Sequence, residues 1–167
     1  MCGRVNRANS VVLLNLPLVE EPHSWETIES IWVGKVVAIS DGDTLTVLNK
    51  DFEEVKIRLN GIDTPEAKQA FGTKSKAALG SLVFQKQVRV FDCGKDRWKR
   101  RLGFVELEGL DVNAEMIKYG FAWHYKDFNT SPELDKMEQD ARTSKRGLWI
   151  DENPIPPWDF RKQQREK

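Results

Sequence analysis

Residues 32–66 read WVGKVVAISDGDTLTVLNKDFEEVKIRLNGIDTPE, and the punctuation of this stretch decides the fold. Trp32 to Ile39 is rich in β-branched residues and stops at Ser40-Asp41-Gly42-Asp43, a turn signal. Thr44 to Leu48 resumes the strand pattern, and Asn49-Lys50-Asp51 turns the chain again. From Glu54 to Leu59 the apolar Val55, Ile57 and Leu59 alternate with polar neighbours, so one face is buried and Arg58 points away from it. Pro65 cannot donate to a ladder and biases Thr64 toward extended geometry, so this run ends near Asp63. The stretch is a three-strand meander.

Downstream, Thr73 is expected to cap a helix with Ala78, Leu79, Leu82 and Val83 on its apolar face. Gly80 inside that helix costs roughly 1 kcal/mol relative to alanine. Gln87 to Phe91 and Leu102 to Leu107 are two further strands, joined by a basic loop. A short helix follows with Asp111 or Asn113 as cap, Val112, Met116 and Ile117 as its face, and Gly120 as its stop. The last helix is expected from Pro132 to Lys145, with Lys145-Arg146-Gly147 as its C-terminal signature and Leu148 and Trp149 folded back on the core. Pro154, Pro156 and Pro157 are expected to keep the tail extended up to frayed final residues. The order β-β-β-α-β-β-α-α predicts an α+β single domain: a closed, five-stranded OB-type barrel with three helices. Residues 1–31 form an N-terminal extension, 32–161 the domain, and 162–167 a charged tail.

At 167 residues the chain is long enough for one domain with a real core. Its formal net charge is +0, so bulk charge does not recruit nucleic acid. Local charge is uneven: Lys95, Arg97, Lys99, Arg100 and Arg101 crowd one loop against a single acid, Asp96, a cluster that could meet phosphates, although a solvated basic loop is the commoner explanation for such a run. Cys2 and Cys93 match neither a zinc spacing nor a redox pair. No segment approaches the ~18 apolar residues that spanning a bilayer needs, so no membrane partner is expected. Arg4 and Arg7 precede the apolar run 11–19, like the core of a signal peptide, but Asn15 and Pro17 interrupt it and Glu20-Glu21 follow it. Both compartments stay open: secreted or periplasmic if Met1–Ser24 is a leader, cytoplasmic otherwise.

Taken singly, Asp41-Gly42-Asp43-Thr44 is a common turn, Asp63-Thr64-Pro65-Glu66 a loop, and Arg58 a surface cation. Together they are more informative. Two acidic turns flank one hairpin, the basic loop joins two later strands, and in a barrel these loops can share a rim. Asp43 and Asp63 could then hold a cation, with a main-chain carbonyl such as that of Thr64 as a further ligand. An all-oxygen set suits calcium or magnesium, and the loops offer no soft ligands for zinc.

Four motifs in order carry a family resemblance: Asp41 to Thr44, Arg58 to Glu66, Asp96-Arg97-Trp98-Lys99-Arg100, and Lys145 to Trp149. On these the chain from Trp32 to Arg161 resembles the staphylococcal nuclease (thermonuclease) family, calcium-dependent phosphodiesterases built on an OB barrel. The resemblance implies Ca2+ as cofactor, with Asp43 and Asp63 as its carboxylates and Thr64 giving its backbone oxygen. It implies Glu66 as the general base, or the group ordering the attacking water, and Arg58 and Arg100 on the scissile phosphate. It further implies DNA and RNA as substrates, single-stranded or locally opened, cut with little sequence selectivity to leave 3′-phosphate ends. A monomer suffices. Arg97, Trp98 and Tyr125 are expected to contact nucleic acid, and Trp123 to line the same groove; His124 and Phe128 are read as structural.

Two departures stand out. The family commonly has Tyr-Gly before its second arginine, where this chain has Trp98-Lys99, and Lys99 alters the turn if positive φ is required there. Arg101 follows directly, but the offset to Asp96 and Leu102 selects Arg100. The segment after Glu66 is also shorter, leaving a trimmer loop. The alternative is an OB-fold binding or scaffold domain without catalysis. Such domains lose ligands or arginines, whereas Asp43, Asp63, Glu66, Arg58 and Arg100 are all present. An aromatic cage for modified side chains would need clustered exposed aromatics, which the sequence alone does not reveal.

Overall fold

The structure, a computed structural model, describes residues 28–166. The leader reading and Cys2 lie outside the described residues. Strand β1 (Ser30–Asp41) pairs antiparallel with β2 (Thr44–Leu48), and β2 with β3 (Glu54–Leu59), which is the meander. The first half of β1 pairs instead with β5 (Gln87–Lys95), and β5 with β6 (Arg101–Leu107). Parallel pairing of β3 with β6 through Ile57↔Arg101, Arg58↔Leu102 and Leu59↔Gly103 closes the barrel. The fold is therefore an α+β, OB-type five-stranded barrel, and closure leaves no long unpaired edge.

Strand β1 serves two partners because it is long and irregular. It breaks register between Val36 and Ala38 and between Ile39 and Asp41, and such bulges bend a strand around a small barrel. At Gly34, just before the change of partner, an added Cβ would stand 2.5 Å from the Leu48 carbonyl oxygen, so the close approach requires glycine. Val36, Leu45, Val47, Ile57, Leu59, Val88, Val90 and Val105 fill the barrel. Helix α1 (Gly72–Val83) covers it with Leu79 and Val83, and α2 (Val112–Lys118) with Val112, Met116 and Ile117.

Several local expectations are corrected. Strand β3 stops at Leu59, and an Asn60-Gly61 turn separates it from the short strand β4 (Ile62–Asp63), which pairs with β8 (Trp123–His124). Helix α1 is capped at Phe71, φ 67°, without a side-chain bond, rather than by Thr73. The reason is upstream, because the loop from Glu66 doubles back so tightly that the Glu66 backbone packs on Gly72 and sets where the helix can begin. Between the two candidates for α2, Asp111 is the cap and accepts from the Ala114 N–H at 3.0 Å; it precedes α2 in β7 (Leu110–Asp111). Helix α3 (Pro132–Thr143) ends before Lys145 and is capped by Ser131. A 3-10 turn at Gly147–Ile150 then buries Leu148 and Trp149 against Trp123 and Ala141, as expected.

The largest correction is at the C-terminus. Residues expected to be extended and frayed form a fourth helix, α4 (Pro157–Arg165). Pro157 sits in its first turn, where a missing N–H costs nothing, Asp159 faces the positive end, and Lys162 and Arg165 face the negative end. Trp158 fastens the helix to the domain by an edge contact with Trp123 at 5.5 Å. Among the described residues no helix is long and apolar enough to cross a membrane.

Candidate active site

The β1–β2 turn is held by Asp41, whose carboxylate accepts the Asp43 N–H at 3.3 Å. This frees the Asp43 side chain to turn inward, where Oδ1 accepts from the Thr44 hydroxyl (2.9 Å) and Oδ2 from the Thr64 N–H (3.2 Å). The β2–β3 register sets Thr44 opposite Arg58, which brings Arg58 beside Asp43. Gly61, φ 75°, reverses the chain into β4, and pairing with β8 buries Asp63 to 1% exposure. Arg58 Nη2 then donates to both carboxylates, Asp43 Oδ2 at 3.2 Å and Asp63 Oδ1 at 3.0 Å, while Nη1 donates to the Ile62 carbonyl at 3.2 Å. Two carboxylates meeting on one nitrogen converge.

They form a cup of about 90 Å³ that Thr64 and Glu66 also line. Burial pushes the Asp43 carboxyl up to about 7, against the pull of Arg58 and with the help of the Asp41 and Asp63 charges. The cup is thus short of positive charge, and its donors are hard oxygens, so the residues present fit a hard divalent cation. Among the described residues no three His, Cys, Asp or Glu side chains converge as a ligand set. A cation here would draw on Asp43, Asp63 and main-chain or water oxygens.

Glu66 stands at the rim with its side chain 41% exposed, and Oε1 accepts from a residue that the sequence reading missed, Arg161 of α4, at 2.8 Å. Arg161 also donates to both oxygens of Asp63, at 3.2 and 2.7 Å. Partial burial works against its charge, but the hydrogen bonds and charges of Asp63 and Glu66 hold the guanidinium above its ordinary pKa. The helical pattern of the proline-started segment was the available signal, because Trp158, Arg161 and Arg165 follow at helical spacing.

The β5–β6 loop gives its two adjacent arginines different partners. Asp96 accepts the backbone N–H groups of Trp98 and Arg100 at 2.9 Å each, and Arg100 Nε at 2.8 Å. Desolvation opposes the Asp96 charge, yet those N–H bonds and the Arg100 charge hold its carboxyl below the ordinary value. Lys99 adopts φ 63°, so the positive φ is required and a lysine meets it, at a strain on the order of 1 kcal/mol. Arg101 is committed elsewhere, in an ion pair with fully buried Asp92. Arg100 instead lines a groove of about 730 Å³ together with Arg58, Glu66, Tyr125 and Arg161. Arg97 and Trp98 line it too, and the Arg97 and Arg100 guanidinium groups lie 3.9 and 4.9 Å from the Trp98 ring centre.

Asp43, Asp63, Thr64, Arg58 and Glu66 are therefore brought into one cup, and Arg100, Arg97, Trp98 and Tyr125 onto the walls of the adjoining groove. Arg100 is bonded to Asp96 and not to the cup residues. Trp123 is corrected: it is buried with Trp149 beneath the groove and does not line it. Phe128, read as structural, is exposed at the groove.

An acidic cup thus opens into an arginine-lined groove on an OB barrel. A family model described as "Staphylococcal nuclease homologue" matches residues 56–151, and the chain belongs to this family. It is 47% identical over 131 residues to an "Uncharacterized endonuclease" of Haemophilus influenzae, covering 78% of this chain and 74% of that protein. It is 42% identical over 147 residues to an "Uncharacterized endonuclease" of Escherichia coli O157:H7, covering 87% and 95%. A "Probable staphylococcal-like nuclease CAN2" of Oryza sativa subsp. japonica is 36% identical over 131 residues, which are 78% of this chain and 34% of the longer plant protein.

Proposed function

We propose that this chain is a metal-dependent nuclease, with calcium as the metal, that hydrolyses phosphodiester bonds of DNA and RNA with little sequence selectivity and leaves 3′-phosphate ends. The observation that carries the reading is the position of Arg58, bonded to Asp43 and Asp63 while facing the same groove as Arg100 and Glu66. Family membership and the names of the relatives support it.

Asp43, Asp63 and the Thr64 carbonyl would hold the cation, which when bound supplies Lewis acidity toward a non-bridging phosphate oxygen. The remaining work belongs to side chains. Glu66 accepts a proton from water, the water oxygen attacks phosphorus, and the bond from phosphorus to the 5′-oxygen breaks. The leaving oxygen takes its proton from solvent. Negative charge gathers on the equatorial oxygens, where the Arg58 and Arg100 guanidinium groups can pair with it. Neither arginine gives up a proton at working pH, so both stabilise charge. Contacts to phosphate and sugar carry little sequence information, hence the low selectivity.

The test is incubation of the purified chain with single-stranded DNA or RNA and calcium, with and without chelator, beside Glu66→Gln. Cleavage should vanish with chelator and fall by about 10²–10⁴ in the variant. Cleavage that survives both would sink the mechanism, and binding without cleavage by the wild type would instead favour a binding or scaffold domain.

A further inference from the structure

Helix α4 lies beyond the segment that the family model matches, yet it closes a fork on the cup. Arg161 Nη2 donates to Asp63 Oδ2 at 2.7 Å and Nη1 to Asp63 Oδ1 at 3.2 Å, so one guanidinium grips both oxygens. Nη1 also holds Glu66 Oε1, at 2.8 Å.

The oxygens of Asp43 and Asp63 show what this leaves for a cation. A carboxylate oxygen offers about two lone-pair sites. Asp43 Oδ2 already takes Arg58 and the Thr64 N–H, and Asp63 Oδ1 takes Arg58 and Arg161. Asp43 Oδ1 takes only the Thr44 hydroxyl, and Asp63 Oδ2 only Arg161. The capacity left on Asp63 therefore lies on the oxygen that Arg161 holds most closely. A dication there would stand against the guanidinium across one oxygen, where like charges repel strongly.

The two arginines are not equally placed to yield. Arg58 belongs to a strand paired on both sides, has 12% of its side chain exposed, and is tied to the Ile62 carbonyl as well. Arg161 belongs to the last helix and is 36% exposed. Among the described residues its guanidinium bonds only Asp63 and Glu66, and it already lines the groove that Arg100 lines.

We infer that Arg161 is a resident counter-cation of the cup, that it gives way to a divalent cation on Asp63, and that its departure uncovers Glu66 and loosens α4. The inference rests on the metal-dependent nuclease reading and adds a regulation of the same site: without a cation, the C-terminal helix holds the cup shut. The competing explanation is that Arg161 only docks α4 and that a cation binds beside it.

Calcium affinity and the protection of α4 separate these explanations on the full chain. Calcium is titrated into the metal-free protein by calorimetry, and amide hydrogen exchange in α4 is followed by mass spectrometry with and without calcium. Coupling is reciprocal, so the factor by which Arg161 weakens calcium binding is the factor by which calcium weakens the docking of α4. Arg161→Ala should bind calcium about tenfold tighter than wild type, and calcium should speed hydrogen exchange in α4 of the wild type by a similar factor but not in the variant. Arg161→Lys keeps the charge without the fork, so it should bind calcium more like the alanine variant than like wild type. Equal calcium affinity in wild type and Arg161→Ala overturns the swap, as does a lysine variant that binds as weakly as wild type. Calcium that leaves α4 unchanged or protects it in the wild type also overturns it, and that measurement stands whatever the variants do. Calcium binding without coupling sinks only the swap, whereas no calcium binding by either protein sinks the metal-dependent reading with it.

Discussion

Asp43 is buried deeply enough that folding changes its proton affinity, from an ordinary 3.8 to about 7. The folded, metal-free chain therefore binds a proton that the unfolded chain releases, and between these values stability falls as pH rises. Above about 7 the ionised carboxylate is present in both states and its cost is constant. Asp43→Asn should thus melt higher than wild type at pH 8 in chelator, with the advantage shrinking toward pH 4. A melting difference that does not change with pH would mean that Arg58 already neutralises this carboxylate in full. The neighbouring arginines separate by readout. Arg100→Ala breaks only a half-exposed pair, so its melting temperature should hold, while activity falls by about 10²–10³. Arg101→Ala leaves buried Asp92 with fewer partners, so it should cost about 2 kcal/mol in denaturant titration with near-normal activity per folded molecule. The sequence offset already separated Arg100 from Arg101, since Asp96 and Leu102 bracket a loop of fixed length. What it could not show was Asp92 as the partner of Arg101, a pairing made across two strands.

At the scale of elements, the parallel seam between β3 and β6 depends on one side chain of α2. Buried Asn113 accepts the Val105 N–H at 3.1 Å and donates to the carbonyls of Asn60 (2.9 Å) and Gly103 (3.3 Å). Asn113→Ala would remove this partner from the Val105 N–H and the Asn60 carbonyl, while the Gly103 carbonyl keeps the Asn60 N–H at 2.8 Å, and should cost about 2–3 kcal/mol by chemical denaturation. A loss under about 0.5 kcal/mol would show that water or a backbone shift replaces it. In the sequence Asn113 competes with Asp111 as a cap, and only the fold separates a cap from a cross-link. Helix α4 was hidden for a related reason. Proline-rich, charged segments serve equally well as tails and as helix starts, and the choice is made by Trp158 finding Trp123 across the chain. Strands β2 and β3 were legible because alternation is a local signal that a barrel with one buried face imposes directly.

For the whole molecule, closure of the barrel puts the acidic turns on one rim, and the basic loop reaches the same groove. The four motifs and their order made this architecture readable, because the first three lie at the ends of strands with a strong pattern and the fourth follows helix α3. The contribution of Arg161 was not readable, since it depends on a contact between the last helix and a loop almost a hundred residues earlier. That contact sets the electrical state of the cup. Asp41, Asp43, Asp63 and Glu66 bring four negative charges when ionised, and Arg58 and Arg161 bring two positive ones, leaving a net of −2. A dication would cancel that charge. Under the proposed function, these six side chains divide the labour: the acidic cup favours a cation, and the arginines of the adjoining groove are left to meet the polyanion.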